Sequence, residues 1–534
     1  MPVTSTKIIP RAKTPEDVGV SSAAVLEMIK EIDECSAEEH GFLIIRHGKV
    51  AAESFKKPYS VDHPHIVYSI SKPVTSTAVG FAVNEGLLTL DTKVLDIFPE
   101  FRLRKTDEKL EKVTIRHLLT MQSGKLPSLL CNKTKDRWLN HFFDAKWIFE
   151  PGENFEYVNE NIFLLCAILV KLTGQRVIDY LKPRLWDPLG IEKPYWETNQ
   201  RGVESGGWGL FLSAESLAKF VLCYLNGGIY EGKQIVPADW AKEAILDHKP
   251  VKKDGSKDEK GYGYCFWREG PDDKTYRVDG AFSQIGMVFE KYDAVLISVG
   301  GEVDSGKTVR YIFNSFPKGF IDEIPDAAPN DELIKAIAAR ACKPLPQKAR
   351  SLTESKIDGK IIRFRPNIIL NFLGFPLSVL PIAATYMTKD RAGNINNLKF
   401  HFSRDECELT WSEGDETNTV FCGMDGEYRE HQIRLASTDY TAFSCAAWQD
   451  ENNLEVWITP IESIGKRILI FKFSGNKVQM KPATTPNLSI MINSMTNDIT
   501  NYMKGNILKR IAKMVINLIK ITMEPVHKGR LKKI

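Results

Sequence analysis

Hydrophobic positions follow helical and strand-like spacings in turn over the first 342 residues. Leu43–Arg46 and Val50–Phe55 are apolar runs on either side of His47-Gly48, which predicts a β-hairpin. Ile285–Phe289 and Ala294–Val299 predict a second hairpin near the end of this region. Between them, from about residue 69 to 246, helical spacing dominates. Strands at both ends with helices between predict one antiparallel sheet flanked by helices, with an all-helical subdomain, so the fold class is α+β.

A Pro-rich break at 342–346 separates this region from a different pattern. We therefore divide the chain into a first domain over 1–342, a linker over 343–355, an accessory domain over 356–490 and a tail over 491–534. The accessory domain is almost all strand and predicts a small antiparallel β-barrel or sandwich. Its predicted strands are Lys360–Phe364, Leu398–Phe402, Glu408–Trp411, Thr441–Trp448, Leu454–Ile458 and Arg467–Phe473.

The tail is basic, and its apolar residues between Ile507 and Leu518 recur at helical spacing. The pattern favours a helix that docks on its own protein or on the second subunit of a homodimer. The alternative is a helix that lies on an anionic membrane surface as a peripheral contact. Ile368–Ala384 is also apolar, but it is short for a membrane span and contains two prolines. Buried strands with a turn are the favoured interpretation there.

Composition narrows the class of protein. The chain has 71 basic and 68 acidic residues, a net charge of +3, which gives no reason to expect a nucleic-acid partner. Its nine cysteines are scattered without metal-ligand spacing, and its ten histidines are dispersed, so we expect no metal and no cofactor. Residues 1–20 lack the apolar core of a signal peptide, and we expect a cytoplasmic location.

Ser69-Ile70-Ser71-Lys72 is the candidate for chemistry. An S-x-x-K alone is a weak signal, because the chain has five other matches, starting at Ser54, Ser216, Ser315, Ser463 and Ser474. Ser69, however, opens a run over 73–85 that is apolar or small on nearly every side, which predicts a buried helix. Lys72 lies one turn on, where desolvation lowers its basicity enough to accept a proton from the serine. A simple helix N-cap is the alternative role for Ser69.

The segment from Ile66 to Ser76 resembles the first motif of the serine β-lactamase-like, or penicillin-recognising, hydrolases. That family includes class C β-lactamases, D-alanyl-D-alanine carboxypeptidases, family VIII esterases and 6-aminohexanoate-oligomer hydrolases. Further segments resemble the family in the same order and cover about residues 10 to 342. They are Glu85–Asp91, Val113–Gly124, Pro151–Asn159, Gly206–Leu210 and Leu225–Gly228.

The resemblance implies roles for particular residues. Tyr157, in the Y-x-N motif, would share the base role with Lys72, and Asn159 would help to place substrate and lysine. The backbone N–H groups of Ser69 and Ala281 would form the oxyanion hole. The remaining residues expected to bind substrate are Trp208, Asp279, Gly280 and Gln284.

The third motif departs from the β-lactamase form, because Val278–Gln284 has no lysine where the family has K-T-G. That lysine binds a substrate carboxylate, so its absence argues against a dedicated β-lactamase or carboxypeptidase. The stretch is closer to the family VIII esterase and 6-aminohexanoate-oligomer hydrolase branch, although Ser283 replaces a glycine of that form. Arg277 could supply a positive charge near this motif, but we expect it to be a strand-edge charge in water.

We therefore expect a serine hydrolase that cleaves a small ester or amide through a Ser-Lys-Tyr acyl-enzyme mechanism. A β-lactamase or D-amino-acid peptidase is the alternative within the same class. A binding protein that kept the fold and lost turnover is the alternative outside it, and the presence of Ser69, Lys72 and Tyr157 argues against that alternative.

Overall fold

The computed structural model divides the chain into two compact units, Met1–Arg340 and Ala341–Ile534. We describe each unit by itself. The described residues are 8–102, 107–127, 138–199, 201–249, 260–269, 274–366, 395–413, 416–435, 438–487, 510, 514 and 526–532.

The first unit is built on an antiparallel sheet of six strands in the order β2-β1-β11-β10-β9-β8. The first two strands and the last four come from opposite ends of the unit, as the sequence predicts. Two smaller sheets, β3-β5-β4 and β6-β7, lie among the intervening segments. The strands are β1 Glu39–Arg46, β2 Lys49–Phe55, β3 Pro64–Ile66, β4 Tyr195–Trp196, β5 Leu210–Ser213, β6 Ile229–Tyr230, β7 Lys233–Gln234, β8 Trp267–Arg268, β9 Thr275–Gly280, β10 Gln284–Phe289 and β11 Ala294–Gly300.

Helices cover both faces of this sheet. Side chains along β1 point alternately to the two faces of the sheet, and both faces are apolar. Leu43 and Ile45 lie in one apolar core, while Phe42 and Ile44 lie in another. The larger core contains most of the helical region, and the smaller contains residues of the first and the last two helices of the unit. The helices are α1 Ser22–Glu34, α2 Ser71–Asn84, α3 Val94–Ile97, α4 Ile115–Leu119, α5 Trp138–Asp144, α6 Asn159–Thr173, α7 Val177–Leu181, α8 Asp187–Leu189, α9 Ala214–Leu225, α10 Ala238–Ala244, α11 Ser305–Ser315 and α12 Asp331–Ala338.

The predicted hairpins are confirmed. β1 and β2 are joined through His47 and Gly48, both with positive φ (51° and 69°), the backbone of a tight turn that matches strand twist. The residue pattern over Tyr262–Trp267 also predicts a strand, and the observed strand is shorter. Only Trp267–Arg268 is a strand, and Tyr262 forms an isolated bridge with Trp267.

The second unit is a closed β-barrel whose strand pairs are antiparallel except for the parallel pair that closes the ring, so the barrel and not the sandwich is correct. Nine strands in the order β15-β14-β13-β12-β21-β20-β19-β18-β17 form the ring, which a β15–β17 pairing closes, and β16 pairs with β17 outside it. The elements are α13 Thr353–Ile357, β12 Ile361–Phe364, β13 Ile395–Phe402, β14 Glu406–Glu413, β15 Glu416–Gly423, β16 Arg429–Leu435, β17 Thr438–Trp448, β18 Asn453–Pro460, β19 Lys466–Ser474, β20 Lys477–Thr485 and β21 His527–Leu531.

The end of the predicted helical tail differs from the expectation. His527–Leu531 is a strand between β12 and β20, because the ring needs a partner for both of those edges. Apart from residues 510, 514 and 526–532, the predicted tail lies outside the described residues, as does the apolar stretch 368–384.

Among the helices that the structure describes, none reaches the length and hydropathy of a membrane span by itself. Asn159–Thr173 and Val177–Leu189 reach them only as a pair, with a bend of 72° between the two.

Candidate active site

Ser69 lies in a single 3₁₀ turn, Tyr68–Ile70, directly before α2. Its neighbours Tyr68 and Ile70 are buried, whereas Ser69 is half-buried. Tyr68 has φ 44°, a left-handed conformation that costs free energy in a residue with a bulky side chain. Such strained backbone concentrates at functional sites, where surrounding contacts hold it. The chain thus presents the Ser69 hydroxyl at the start of a buried helix.

Lys72 lies on the next turn of α2 and points back at the serine. Its Nζ donates a hydrogen bond to Ser69 Oγ at 2.9 Å and another to the Gly207 carbonyl at 2.7 Å. The side chain is only 1% exposed. Burial lowers the pKa of the Lys72 ammonium to about 7, against weaker opposing effects of Cys265 and Glu160. A large neutral fraction is therefore present at neutral pH, and this amine can accept the serine proton.

Tyr157 lies beside both Ser69 and Lys72. The Lys72 Nζ lies 4.7 Å from the centroid of the Tyr157 ring. Burial raises the pKa of the Tyr157 hydroxyl, and a side-chain hydrogen bond with Ser69 opposes that shift only in part. The tyrosine therefore stays protonated at neutral pH, so the proton-accepting capacity belongs to Lys72, and Tyr157 can hydrogen-bond and donate a proton.

Asn159 is the first residue of α6 and is half-buried. It adjoins the segment that anchors Lys72. A Cβ added at Gly207 would lie 3.2 Å from Asn159 Oδ1 and 3.6 Å from Lys72 Nζ. The glycine lets its backbone approach both side chains, and Asn159, Lys72 and Gly207 form one cluster.

The third motif forms the turn between β9 and β10, and this turn adjoins the serine. A Cβ at Gly280 would meet the carbonyl of Val67 at 2.3 Å, so the two backbones are in direct contact two residues before Ser69. The Tyr68 and Phe282 rings pack at 5.0 Å between centroids. Ala281, between these contacts, is exposed. This is the neighbourhood that an Ala281 oxyanion donor requires.

Gln284 supports that turn from inside. Its Nε2 donates to the carbonyls of Phe282 and Gly300 at 2.9 and 2.6 Å, and the residue is buried. This amide is therefore used to hold the turn at the end of β9.

The expectation for Arg277 was wrong. It is 6% exposed and forms ion pairs with Asp279, at 2.8 Å, and with Glu269. The reason is topological, since β9 lies between β10 and β8 and is not an edge strand. Two carboxylates neutralise this guanidinium, and the carboxylate of Asp279 is committed to it.

Trp208 is half-buried beside Trp138, with 5.9 Å between ring centroids. Its carbonyl accepts hydrogen bonds from the Trp196 indole, at 2.9 Å, and from the Ser205 hydroxyl. Trp208 thus belongs to the segment 205–209 that carries the Gly207 carbonyl.

Several groups near the site were not predicted. The Gly207 carbonyl is a backbone atom, and the Gly-Gly-Trp-Gly run was its only signal. Cys265 is buried, and its electrostatic interaction with Lys72 raises the pKa of that amine against the larger effect of burial. Burial raises the pKa of the Cys265 thiol itself to about 12. Glu197 is buried, and its carboxyl lies against Gly209. The described residues contain no group of three His, Cys, Asp or Glu side chains that could hold a metal ion.

The sheet, the helical region and the serine at the start of α2 define a β-lactamase/transpeptidase-like fold. Residues 29–319 match the model of the Beta-lactamase family, which is more than half of the chain. The chain therefore belongs to the Beta-lactamase family, as the resemblance of its motifs predicts.

The individual relatives that match this chain have low sequence identity to it. The 6-aminohexanoate-dimer hydrolase of Paenarthrobacter ureafaciens is 24% identical over 251 residues, which cover 43% of this chain and 64% of that protein. Esterase EstB of Burkholderia gladioli is 29% identical over 171 residues, which cover 28% of this chain and 43% of the esterase. The chain thus spans less than two thirds of either relative.

A solved structure from Bacillus anthracis, provisionally named a 6-aminohexanoate-dimer hydrolase, shares the fold with a TM-score of 0.50 and 19% identity. The match covers 58% of this chain and 87% of that one.

Proposed function

We propose that this protein is a serine hydrolase that cleaves an ester or amide bond through an acyl-enzyme on Ser69. The observation that carries the proposal is the 2.9 Å contact between Ser69 Oγ and the Nζ of a lysine that is almost fully buried. A buried amine whose pKa lies near 7 is matched to proton transfer at neutral pH.

The reaction proceeds in two halves. The neutral Lys72 amine takes the Ser69 proton while Oγ attacks the carbonyl carbon. The tetrahedral oxyanion is stabilised by the backbone N–H groups of Ser69 and Ala281. Its collapse breaks the bond to the alcohol or amine, which receives a proton from Tyr157, and Tyr157 is reprotonated by the Lys72 ammonium. Water then adds to the acyl-enzyme by the same route and releases the acid.

The substrate proposal rests on the third motif. No lysine follows β9, and the nearby Arg277 is neutralised by Asp279 and Glu269. Within the part of the chain that the structure describes, a substrate carboxylate therefore meets no unpaired cation at that turn, which favours uncharged esters and amides over penicillins and peptidoglycan stems. Two relatives are named as an esterase and as a 6-aminohexanoate-dimer hydrolase, which is consistent with this preference.

Covalent labelling of Ser69 tests the proposal. The protein is incubated with a fluorophosphonate probe, and the adduct is measured by intact mass and located by peptide mapping. We expect a single adduct on Ser69 that is lost in Ser69→Ala and at least about a hundredfold slower in Lys72→Ala. Ser474→Ala is the matched control, because Ser474 opens another S-x-x-K but is exposed in the barrel, and its labelling should equal that of the unaltered protein.

Turnover separates the alternatives. Short-chain chromogenic esters should be hydrolysed faster than a cephalosporin, and the reverse order would favour a β-lactamase or D-amino-acid peptidase. A folded protein without an adduct on Ser69 would overturn the proposal in favour of a binding protein.

A further inference from the structure

Glu197 is a buried carboxyl outside the proposed catalytic set. It directly follows β4 and is 1% exposed. Within the described part of the chain, neither carboxyl oxygen has a hydrogen-bond partner. A buried carboxylate without a partner is costly, whereas the neutral acid is tolerated. The environment therefore selects the protonated form, and burial raises the pKa of Glu197 to about 8.

The backbone of Glu197 holds both ends of the segment 205–209. Its N–H donates to the Gly209 carbonyl at 2.9 Å, and its carbonyl accepts from the Ser205 N–H at 3.0 Å. The side chain lies against the same segment. A Cβ at Gly209 would be 2.7 Å from Glu197 Oε2, and Gly209 has φ +78°, so glycine is required there on both counts.

The segment 205–209 is also what fixes the nucleophile and its base. The Gly207 carbonyl accepts from Lys72, and the Gly206 carbonyl accepts from the Thr75 hydroxyl at 3.1 Å, one turn further along α2. Immediately after the segment, the Leu210 carbonyl accepts from the Val67 N–H at 2.9 Å. A displacement at Gly209 would therefore be transmitted to Lys72 and to the backbone before Ser69.

The described groups that face Glu197 offer no compensation for a charge on its carboxyl. From the strained turn before α2, Tyr68 interacts electrostatically with Glu197, and its buried hydroxyl has no hydrogen-bond partner among the described residues. From the segment itself, the Ser205 hydroxyl is committed to the Trp208 carbonyl. Burial raises the Glu197 pKa, and among the described residues no cation opposes that shift.

We propose that Glu197 is a positioning residue that keeps the Lys72-anchoring segment 205–209 in its working position only while its carboxyl is protonated. The proposal rests on the proposed function, because the consequence is read at Ser69. Ionisation places an unpaired charge against the Gly209 backbone, and relief of that charge requires the carboxylate and the segment to separate. The Gly207 carbonyl then moves from Lys72.

The rate of Ser69 labelling by the fluorophosphonate at pH 7.5 and pH 9.5 tests the proposal in the full-length chain. The ratio of the two rates is compared within each variant. The labelling rate of the unaltered protein should fall roughly twentyfold over this interval, because the protonated fraction of an acid that titrates near pH 8 falls by about that factor. Glu197→Gln is neutral at both pH values, so its two rates should agree within about twofold. Glu192→Gln, an exposed glutamate nearby, should behave like the unaltered protein.

Thermal unfolding supplies a readout that is independent of chemistry. Because the folded-state pKa of Glu197 is raised from 4.5 to about 8, its burial costs little below pH 4.5 and progressively more up to pH 8. The midpoint of Glu197→Gln relative to the unaltered protein should therefore rise between pH 5 and 8 and level off above it.

Two results would overturn the role of Glu197 and leave the proposed function standing. In the first, Ser69 is labelled but Glu197→Gln still loses labelling rate at alkaline pH. In the second, the unaltered protein is labelled and shows no such loss. Absence of Ser69 labelling at every pH would overturn the proposed function, and the stability comparison would still decide whether Glu197 is buried as the acid. Identical midpoint profiles for the two proteins would overturn that protonation state.

Discussion

At the scale of single residues, burial acts on Lys72, Tyr157 and Glu197 in one chemical sense. It lowers the pKa of the amine and raises the pKa values of the phenol and the carboxyl, so each is pushed toward its neutral form. A dry site made of neutral groups near pH 7 can exchange protons without a net charge to solvate. The rise of the acylation rate on the acid side of the pH–rate profile should then follow the deprotonation of Lys72.

We expect the rate of Ser69 acylation to rise with pH through an apparent pKa of about 7, because only the neutral Lys72 amine accepts the proton, until the alkaline loss that we assign to Glu197 begins. Stopped-flow release of a chromogenic alcohol between pH 5 and 8 measures this limb. Lys72→Arg keeps a cation that does not deprotonate in this range, so its residual rate should be flat from pH 5 to 7 and at least about a hundredfold lower. An acid limb that survives in Lys72→Arg would assign it to another group.

At the scale of elements, the site is formed where the β9–β10 turn meets the turn before α2. Neither element makes an oxyanion hole alone, since the proposed donors at Ser69 and Ala281 come from the two different turns. The close backbone approach at Gly280 sets their separation.

Gly280→Ala should therefore disable the site. The new Cβ would meet the Val67 carbonyl at 2.3 Å, and backbone cannot move aside as a flexible side chain can. We expect Ser69 labelling to fall at least about tenfold and the free energy of unfolding to fall by about 1–3 kcal/mol, as for other overpacked positions. Ala281→Gly is the control, since it removes an exposed methyl group and keeps the N–H. Labelling of Gly280→Ala at the unaltered rate would show that this contact does not position the turn.

At the scale of the whole molecule, the chain contains a Beta-lactamase-family unit and a closed barrel, each with its own apolar interior. A unit with its own core can unfold on its own. Damage to the barrel should then be separable from the chemistry of Ser69.

Phe471→Ala tests this separation. Phe471 is 0% exposed in the barrel, and its truncation should cost the barrel about 3–5 kcal/mol. Calorimetry should show one transition at lower temperature and a second unchanged, with Ser69 labelling retained below the first. Phe421→Ala, at a phenylalanine that is 40% exposed in the same domain, should leave both transitions within about 2 °C. Loss of labelling in folded Phe471→Ala would mean that the site depends on the barrel.

Much of the fold and the central pair could be predicted because their signals are local. Three of the barrel strands that were missed show the limit of such signals. Glu416–Gly423 and Arg429–Leu435 carry many polar residues, so alternation is weak, and backbone pairing with neighbouring strands defines them. His527–Leu531 was placed in a helical tail because only the closure of the ring requires a strand there.

The sequence by itself determined the pairing of Ser69 with Lys72, because residues three apart share a helix face, and the apolar run that follows makes the helix a buried one. It also determined the hairpins, whose turns are set within a few residues. The tertiary structure alone decided that Gly207 would anchor the lysine and that Arg277 would be neutralised inside the sheet. It also decided that the Glu197 carboxyl would be buried with no hydrogen-bond partner among the described residues. Those outcomes depend on groups far apart in the chain, whose desolvation and pairing arise only when the segments pack together.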